Sequence, residues 1–141
     1  MIVVLDASAA AEIVAKSHAG IGFVNDLMRA ERVLAPDLFV AEICNYMWKI
    51  GRKDGVMADV YTDVYVEMAN DCIDYVDEFE SAAELWKDAL RMAKTQDHPV
   101  YDMLYAMIAG RHNATLLTMD EKLCAVCEKM SVRYRSYKTI E

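Results

Sequence analysis

The sequence contains few residues that break or bend regular structure. It has two prolines and five glycines in 141 residues, and no stretch has the composition of a linker or a low-complexity segment. Internal repeats are absent as well. With 55% hydrophobic residues the chain is long enough to bury one core, so we expect a single ordered domain over residues 1–141.

The sequence is also short of positive charge and of long apolar runs. Fifteen Lys and Arg stand against 23 Asp and Glu, which excludes a protein that coats nucleic acid through bulk charge but is compatible with a local basic rim. No apolar run approaches the roughly 18 residues needed to span a bilayer. Asp6 interrupts the first run too early for a signal peptide. We therefore expect a soluble, cytoplasmic protein without membrane insertion.

The sequence has four cysteines, too few for a disulfide scaffold, and all four are expected to be reduced in the cytosol. Cys124 and Cys127 form a C-x-x-C pair, but the pair falls inside a predicted helix. No second pair supplies the two further ligands that a structural zinc site needs. We therefore interpret these cysteines as small buried residues rather than as metal ligands or redox groups.

What the chain does contain is an alternation of short apolar runs with helical segments. The run Ile2–Leu5 is rich in β-branched residues and predicts a strand buried on both faces. Further strands are predicted at 33–35, 72–76, 114–118 and 132–137, and the cleanest helical periodicity lies at 57–68. This alternation predicts an α/β fold, a three-layer α/β/α sandwich around a five-stranded parallel sheet.

Capping residues predict several helix ends. Ser8 is expected to cap a helix over 9–15, Asp120 to open a helix that ends near residue 130, and Ser81 with Glu84 to form a capping box. A helix over 38–51 is expected to end in a turn at 51–55. One face of the helix after Ser81 is expected to be buried; it carries Leu85, Trp86, Ala89, Leu90 and Ala93.

Two aspartates follow predicted strands directly. Asp6 ends the first strand and Asp120 follows the fourth. The carboxyl ends of parallel strands share one edge of the sheet, where open α/β folds place their ligands. Helix capping alone would also explain either residue.

Two further acids are isolated charges in apolar helical segments. Glu42 stands among apolar neighbours, and a glutamate is rarely buried unless it is paired or bound to a metal. The alternative is a thin polar stripe that includes Asn45 and Lys49. Asp102 lies near the start of an almost wholly apolar helix, where the positive helix end offers a structural explanation.

The four acids together predict a metal site, because all would face one cleft at the same edge of the sheet. Clustered carboxylates cannot all stay ionised unless something positive neutralises them. Oxygen-only ligand sets select hard cations such as Mg²⁺ or Mn²⁺, which typically serve phosphate chemistry. His98 is the nearest histidine in sequence, and we interpret it as a helix-start residue.

At these residues the chain resembles the PIN-domain ribonucleases, and among them the small VapC-like toxins of type II toxin–antitoxin pairs. The resemblance covers the whole length and is carried by residues 4–8, 35–45, 100–106 and 116–123. It implies sheet order 3-2-1-4-5 and an endoribonuclease that hydrolyses RNA with a water activated by Mg²⁺ or Mn²⁺. It implies that the catalytic metal ligands are Asp6, Glu42, Asp102 and Asp120, with Ser8, Asn45 and Thr118 lining the site.

The resemblance also implies partners. In the toxins a segment like 37–70 helps form the homodimer and the antitoxin groove, so a second copy and a small antitoxin protein are expected beside the RNA substrate. Lys49, Arg52 and Lys122 are candidate contacts to RNA phosphates. An ordinary surface role is the alternative for each.

We weigh two other functions against the nuclease. A non-catalytic PIN-fold module would use the acidic cleft to dock a basic protein partner. A phosphatase or phospho-receiver of similar topology is disfavoured. A phosphatase of the haloacid dehalogenase type would need a second aspartate where Ser8 stands, and the end of predicted strand three lacks the lysine pattern of a receiver.

Overall fold

The computed structural model describes residues 1–53 and 59–137, and of residues 59–61 it describes the backbone alone. The predicted turn residues 54–55 and Met57 of the predicted helical stripe lie outside these ranges. Strands and helices alternate in the order β1 (Ile2–Leu5), α1 (Ala7–Val14), α2 (His18–Arg29), β2 (Arg32–Pro36), α3 (Leu38–Lys53), α4 (Asp59–Asp74), β3 (Glu78–Glu80), α5 (Ala82–Gln96), α6 (Val100–Arg111), β4 (Thr115–Leu117), α7 (Glu121–Lys129) and β5 (Arg133–Arg135).

The five strands form one parallel sheet in the order β3-β2-β1-β4-β5, as predicted. Strand β1 is central, and Val3 pairs with Val33 of β2 and with Thr115 of β4. Val3, Val4 and Leu5 are fully buried, because helices cover both faces of a parallel sheet. Residues that follow β1 and β4 therefore emerge side by side at one edge.

The helices form two layers with the sheet between them, which confirms the predicted sandwich. Helix α1 contacts α2, α3 and α4, and α3 contacts α4, while α6 contacts α5, α7 and three of the strands. The close crossing of α1 and α2 requires Gly20, since a Cβ there would overlap the carbonyl oxygen of Glu12. In α6, residues 103 to 109 are all buried, as expected for a helix that is apolar all round.

The third strand lies later in the chain than predicted. Residues 72–74 belong to the end of α4, and β3 is Glu78–Glu80. A short apolar run cannot be assigned to strand or helix by periodicity alone, and here Cys72 and Val76 extend the buried side of α4. The strand begins only after Asp77, whose carboxylate accepts a hydrogen bond from the Val33 amide at 2.7 Å.

Several predicted helix features also need correction. Helix α1 begins at Ala7, so Ser8 is inside it and is not its cap. Helix α3 continues to Lys53, through the first part of the predicted turn. Ser81 caps α5, but its hydroxyl accepts from the Ala83 amide, and the Glu84 amide donates to the Ser81 carbonyl, so the hydrogen bonds are not those of the predicted capping box with Glu84. On the same helix Trp86 and Leu90 are half exposed, and the buried stripe is narrower than predicted.

The cysteines are free thiols, and Cys72, Cys124 and Cys127 are buried. Burial raises the pKa of Cys127 to about 12, whereas a metal-binding or redox-active cysteine needs a lowered pKa. The packing role predicted for Cys124 and Cys127 fits this environment. Across the described residues, no helix combines the length and the apolar character needed to cross a membrane.

Candidate active site at the carboxyl edge of the sheet

Asp6 is the buried centre of the candidate site. It occupies the N-cap position of α1, but its side chain makes no capping hydrogen bond. Instead its Oδ2 accepts hydrogen bonds from the hydroxyls of Ser8 at 2.6 Å and Thr118 at 2.7 Å. The simple capping explanation of Asp6 is therefore wrong, since the carboxylate turns towards the end of β4.

Two backbone amides tie the same hydroxyls to the β4–α7 connection. The amide of Met119 donates to Ser8 Oγ at 2.9 Å, and the amide of Asp120 donates to Thr118 Oγ1 at 3.1 Å. Each hydroxyl accepts from the backbone on one side and donates its proton to Asp6 on the other. The two residues thus link the ends of β1 and β4 through one carboxylate.

Burial and neighbouring acids oppose the ionisation of Asp6. Its side chain is 5% exposed, and its pKa is raised from 3.8 to about 6. Desolvation is the largest cause, and the charges of Asp102 and Asp120 add to it. The hydrogen bonds from the two hydroxyls act in the opposite direction. The carboxylates after β1, at the start of α6 and after β4 are therefore electrostatic neighbours.

Glu42 faces the same group of acids from α3. Its Oε1 accepts a hydrogen bond of 2.6 Å from the hydroxyl of Tyr105, which is fully buried in α6. The pKa of Glu42 is raised to about 7; burial is the largest cause, the Tyr105 hydroxyl lowers the pKa, and repulsion from Asp6 and Asp102 raises it. The expectation that this glutamate would be paired holds, and its partner on the protein is a phenol.

Asp102 lies in the first turn of α6 with a histidine beside it. Its Oδ2 is 2.7 Å from Nε2 of His98, four residues earlier. Burial raises the pKa of Asp102, His98 lowers it, and the charge of Asp120 raises it. The helix-start interpretation of His98 was therefore incomplete, because its side chain contacts one of the four acids.

Asp120 is the fourth acid, and it does cap a helix. Its Oδ1 accepts hydrogen bonds from the amides of Lys122 at 2.9 Å and Leu123 at 3.1 Å. Capping uses one carboxylate oxygen, and the residue still repels Asp6 and Asp102. Its two roles, as a cap and as a member of the acidic group, are compatible.

A small cleft lies beside Glu42 and Ser8. It measures about 220 Å³, and Asn45 and Lys49 line it one and two turns along α3 from Glu42; the remaining lining residues are Ala7, Ala11 and Tyr46. The predicted supporting residue Asn45 and the predicted RNA contact Lys49 thus share a surface with two site residues.

The other two candidate RNA contacts lie away from this cleft. Arg52 stacks on the Trp48 ring at 5.4 Å from the ring centroid, at the end of α3. Lys122 is exposed in the first turn of α7, next to Asp120. Larger cavities occur elsewhere among the described residues; one of about 530 Å³ opens at the amino ends of β1, β4 and β5, away from the acids.

Sequence reasoning missed the two donors that hold Glu42 and Asp102. Tyr105 carries a hydroxyl on a buried helix, and a buried tyrosine usually finds a hydrogen-bond partner for it. His98 precedes Asp102 by four residues, the spacing at which side chains meet on a helix. Both the need of Tyr105 for a hydrogen-bond partner and the spacing of His98 and Asp102 were visible in the sequence. The identity of the partner of Tyr105 was not.

The four acids are close enough to repel one another. Their side chains do not surround a single position where a metal ion could bind. Across residues 1–53 and 59–137, no three His, Cys, Asp or Glu side chains form a group that could hold a metal ion. The site is therefore a surface lined by carboxylates whose negative charges repel one another.

Comparison with known proteins gives the family. The model of the PIN domain family matches residues 3–129, a range that includes all four acids. The chain belongs to the PIN domain family.

Individual relatives agree with this assignment. The chain is 28% identical over 123 residues to Ribonuclease VapC3 of Pyrobaculum aerophilum, covering 87% of this chain and 92% of the relative. The crystal structure of PAE2754 from the same organism superimposes with a TM-score of 0.68 at 21% identity, over 89% of this chain and 87% of that one. A domain of a functionally unknown protein from Methanocaldococcus jannaschii gives 0.53 at 18% identity, over 99% and 93%. The two structures support the fold.

Proposed function

We propose that this PIN domain is an endoribonuclease that depends on Mg²⁺ or Mn²⁺, and that it is the toxin of a toxin–antitoxin pair. The observation that carries the proposal is the mutual repulsion of acids at the carboxyl edge of the sheet. Burial together with acidic neighbours raises the pKa of Asp6, Glu42 and Asp102. The similarity to Ribonuclease VapC3 supports RNA as the substrate.

The donor set fits a hard divalent cation. Carboxylate oxygens are the ligands that Mg²⁺ and Mn²⁺ prefer, and a cation among these acids would relieve their repulsion. When bound, it would lower the pKa of a water molecule and polarise the scissile phosphate. The residues proposed to hold it are Asp6, Glu42, Asp102 and Asp120.

The other residues of the site are proposed to fix the orientation of these carboxylates and to bind RNA. Ser8 and Thr118 keep the Asp6 carboxylate turned towards β4, so that it need not reorganise when substrate arrives. Asn45 and Lys49 present an amide and an ammonium group in the cleft beside Glu42, where RNA phosphates would contact them. Arg52 and Lys122 are proposed as further phosphate contacts outside the cleft.

The test is RNA cleavage by the purified protein with Mg²⁺ or Mn²⁺. Asp102→Asn should reduce cleavage at least 100-fold, since mutation of groups that stabilise the transition state costs about that much, while the far-ultraviolet spectrum and unfolding midpoint show an intact fold. Glu121→Gln is the matched control, because Glu121 is an exposed acid next to Asp120 and its loss should leave cleavage unchanged. Cleavage that survives Asp102→Asn or excess EDTA would contradict the proposal.

The second candidate is a non-catalytic module whose acidic cleft docks a basic partner. It is favoured by one observation, that the described residues contain no group already arranged to hold a metal. Calorimetry separates the two candidates. Binding of Mn²⁺ that Asp6→Asn weakens supports the nuclease, and no heat of Mg²⁺ or Mn²⁺ binding supports the docking module.

Protein partners are part of the proposal. An apolar groove of about 210 Å³ between α3 and α4 is the surface proposed for an antitoxin segment; it is lined by Cys44, Met47, Trp48, Thr62, Tyr65, Val66 and Ala69. The resemblance in sequence placed the homodimer contact in segment 37–70; outside that segment, the half-exposed Trp86 and Leu90 of α5 are also proposed to lie in a homodimer interface. Sedimentation of wild type and Trp86→Glu tests the dimer, since the charge should shift it to monomer.

A further inference from the structure

The side chain of His98 is held in place by the connection between α5 and α6. Asp97 adopts the left-handed conformation (φ 50°, ψ 55°) that ends α5, and the amide of His98 donates to the carbonyl of Ala93. Pro99 then occupies the N-cap position that precedes α6. The backbone is thus fixed on both sides of His98, and its side chain is 7% exposed. This imidazole has little freedom to leave its contact.

The contact is a single hydrogen bond to one oxygen of Asp102. Nε2 of His98 lies 2.7 Å from Oδ2 of Asp102, a distance typical of a hydrogen bond to a carboxylate. When Asp102 is ionised, Nε2 of His98 is the donor, since a carboxylate oxygen only accepts. The bond fixes the rotamer of Asp102 and occupies Oδ2, which leaves Oδ1 for another ligand.

The other two histidines provide a comparison within the chain. His112 contacts a carboxylate in the same way, with Nε2 at 3.1 Å from Oε1 of Glu80, but Glu80 is not one of the four acids. His18 is exposed at the start of α2. All three histidines are among the described residues, and His98 is the one that meets the acidic site.

We propose that His98 is a positioning residue for Asp102, holding its carboxylate in the orientation from which Oδ1 binds the divalent cation. The inference rests on the proposed function and extends it to a residue outside the acidic quartet. Carboxylates that ligate metals are themselves hydrogen-bonded in known sites, and loss of such a partner typically costs about 10- to 100-fold in metal affinity.

Three variants test the role of the hydrogen bond. His98→Leu removes the donor and keeps an apolar side chain of similar size. His98→Gln places an amide donor near the position of Nε2. His112→Leu is the matched control, because it removes a similar contact to Glu80, which is not one of the proposed ligands. Near-ultraviolet circular dichroism and the urea midpoint establish that each variant is folded.

The first readout is the Mn²⁺ dissociation constant, measured by calorimetry on protein stripped with EDTA. We expect His98→Leu to raise it roughly 10- to 100-fold, His98→Gln to restore it to within a few-fold of wild type, and His112→Leu to leave it unchanged. Should His98→Leu not be folded, the His98→Gln affinity and the nuclear magnetic resonance measurement below decide the question.

The second readout needs no catalysis. In protein labelled with ¹⁵N-histidine, adding Mg²⁺ should shift the ring resonances of His98, because the cation withdraws charge from its partner Asp102. The resonances of His18 and His112 should stay in place. Single substitutions assign the three signals.

The outcomes separate the two proposals. If wild type binds Mn²⁺ and His98→Leu binds it equally well, the positioning role is overturned while the metal site stands. If His112→Leu weakens binding as much as His98→Leu does, the effect is general packing and the positioning role is again overturned. If wild type binds neither Mn²⁺ nor Mg²⁺, metal ligation itself fails, and the role of His98 fails with it.

Discussion

Replacing Asp6 with asparagine is expected to stabilise the metal-free protein at neutral and alkaline pH. Asp6 is 5% exposed and is surrounded by other acids, and its pKa is about 6 in the folded protein against an ordinary value of 3.8. Ionising it in the fold therefore works against folding. Asparagine keeps the size of the side chain and an oxygen that can accept from the hydroxyls of Ser8 and Thr118, while the charge is removed.

The sign and size follow from proton linkage. Below pH 3.8 the carboxyl is protonated in both states and the two proteins should be about equally stable. Between pH 3.8 and about 6 the folded wild type binds more protons than the unfolded chain, so its stability falls as the pH rises. Above that range, ionised Asp6 lowers the free energy of unfolding by a constant amount of roughly 3 kcal/mol. The amide hydrogens of asparagine would find poorer hydrogen-bond partners here than the carboxylate oxygens of Asp6 do. We therefore expect Asp6→Asn to raise the free energy of unfolding by about 1–3 kcal/mol at pH 8.

The assay is urea unfolding in EDTA at several pH values from 4.5 to 8. Asp26→Asn is the matched control, because Asp26 is also buried but is paired with Arg135 at 2.5 Å and Tyr137 at 2.6 Å. Breaking that pair should lower stability by about 2 kcal/mol. Excess Mg²⁺ should reduce the difference in unfolding free energy between wild type and Asp6→Asn, since an ion that binds only the folded wild type stabilises it.

Two results would refute this reasoning. One is an Asp6→Asn protein that is less stable than wild type at pH 8. The other is a difference between the two proteins that is the same at pH 4.5 and pH 8, because a charge effect must disappear as the carboxyl becomes protonated.

Three further substitutions probe the surroundings of the acids. Thr118→Val removes a donor to Asp6; it should raise the pKa of Asp6 above 6 and cost about 1–3 kcal/mol, and an unchanged carboxyl titration by nuclear magnetic resonance would contradict this. Tyr105→Phe removes the donor to Glu42, so the pKa of Glu42 should rise above 7, and cleavage at pH 7 should fall several-fold but recover at higher pH. Cys127→Ala, in a fully buried position, should cost about 1–2 kcal/mol in unfolding measurements and leave cleavage unchanged; lost cleavage in a folded variant would indicate a chemical role for the thiol.

The expected stabilisation by Asp6→Asn also describes a trade-off in the fold. A buried position at the carboxyl edge of the sheet, Asp6, carries a charge that the metal-free protein would be more stable without. Natural sites commonly retain such costs where function requires them. The surrounding donors, two hydroxyls and a phenol, lower the pKa of their acids without abolishing the shift.

Much of the architecture was determined by local sequence. The buried run Ile2–Leu5 predicts a central strand because nothing in it is suited to solvent, and the alternation of strands and helices then leads to a parallel sheet. Glu42 and Asp102 stand out because each is a charge in an apolar helical segment, a property of a few neighbouring residues. The position of β3 was wrong for the converse reason, because residues 72–76 suit the buried end of a helix as well as a strand.

What the tertiary structure decided is which groups meet. Thr118 reaches Asp6 across 112 positions of sequence, and Tyr105 reaches Glu42 across 63. No local pattern encodes such contacts, because they depend on how two layers of helices pack against one sheet. The same packing sets how far each acid is buried and which charges repel it, and hence how strongly it would attract a cation. The sequence alone determined which acids the chain carries and predicted that they share one edge of the sheet. Tertiary packing determined how deeply these acids are buried and which charges raise the pKa of Asp6, Glu42 and Asp102.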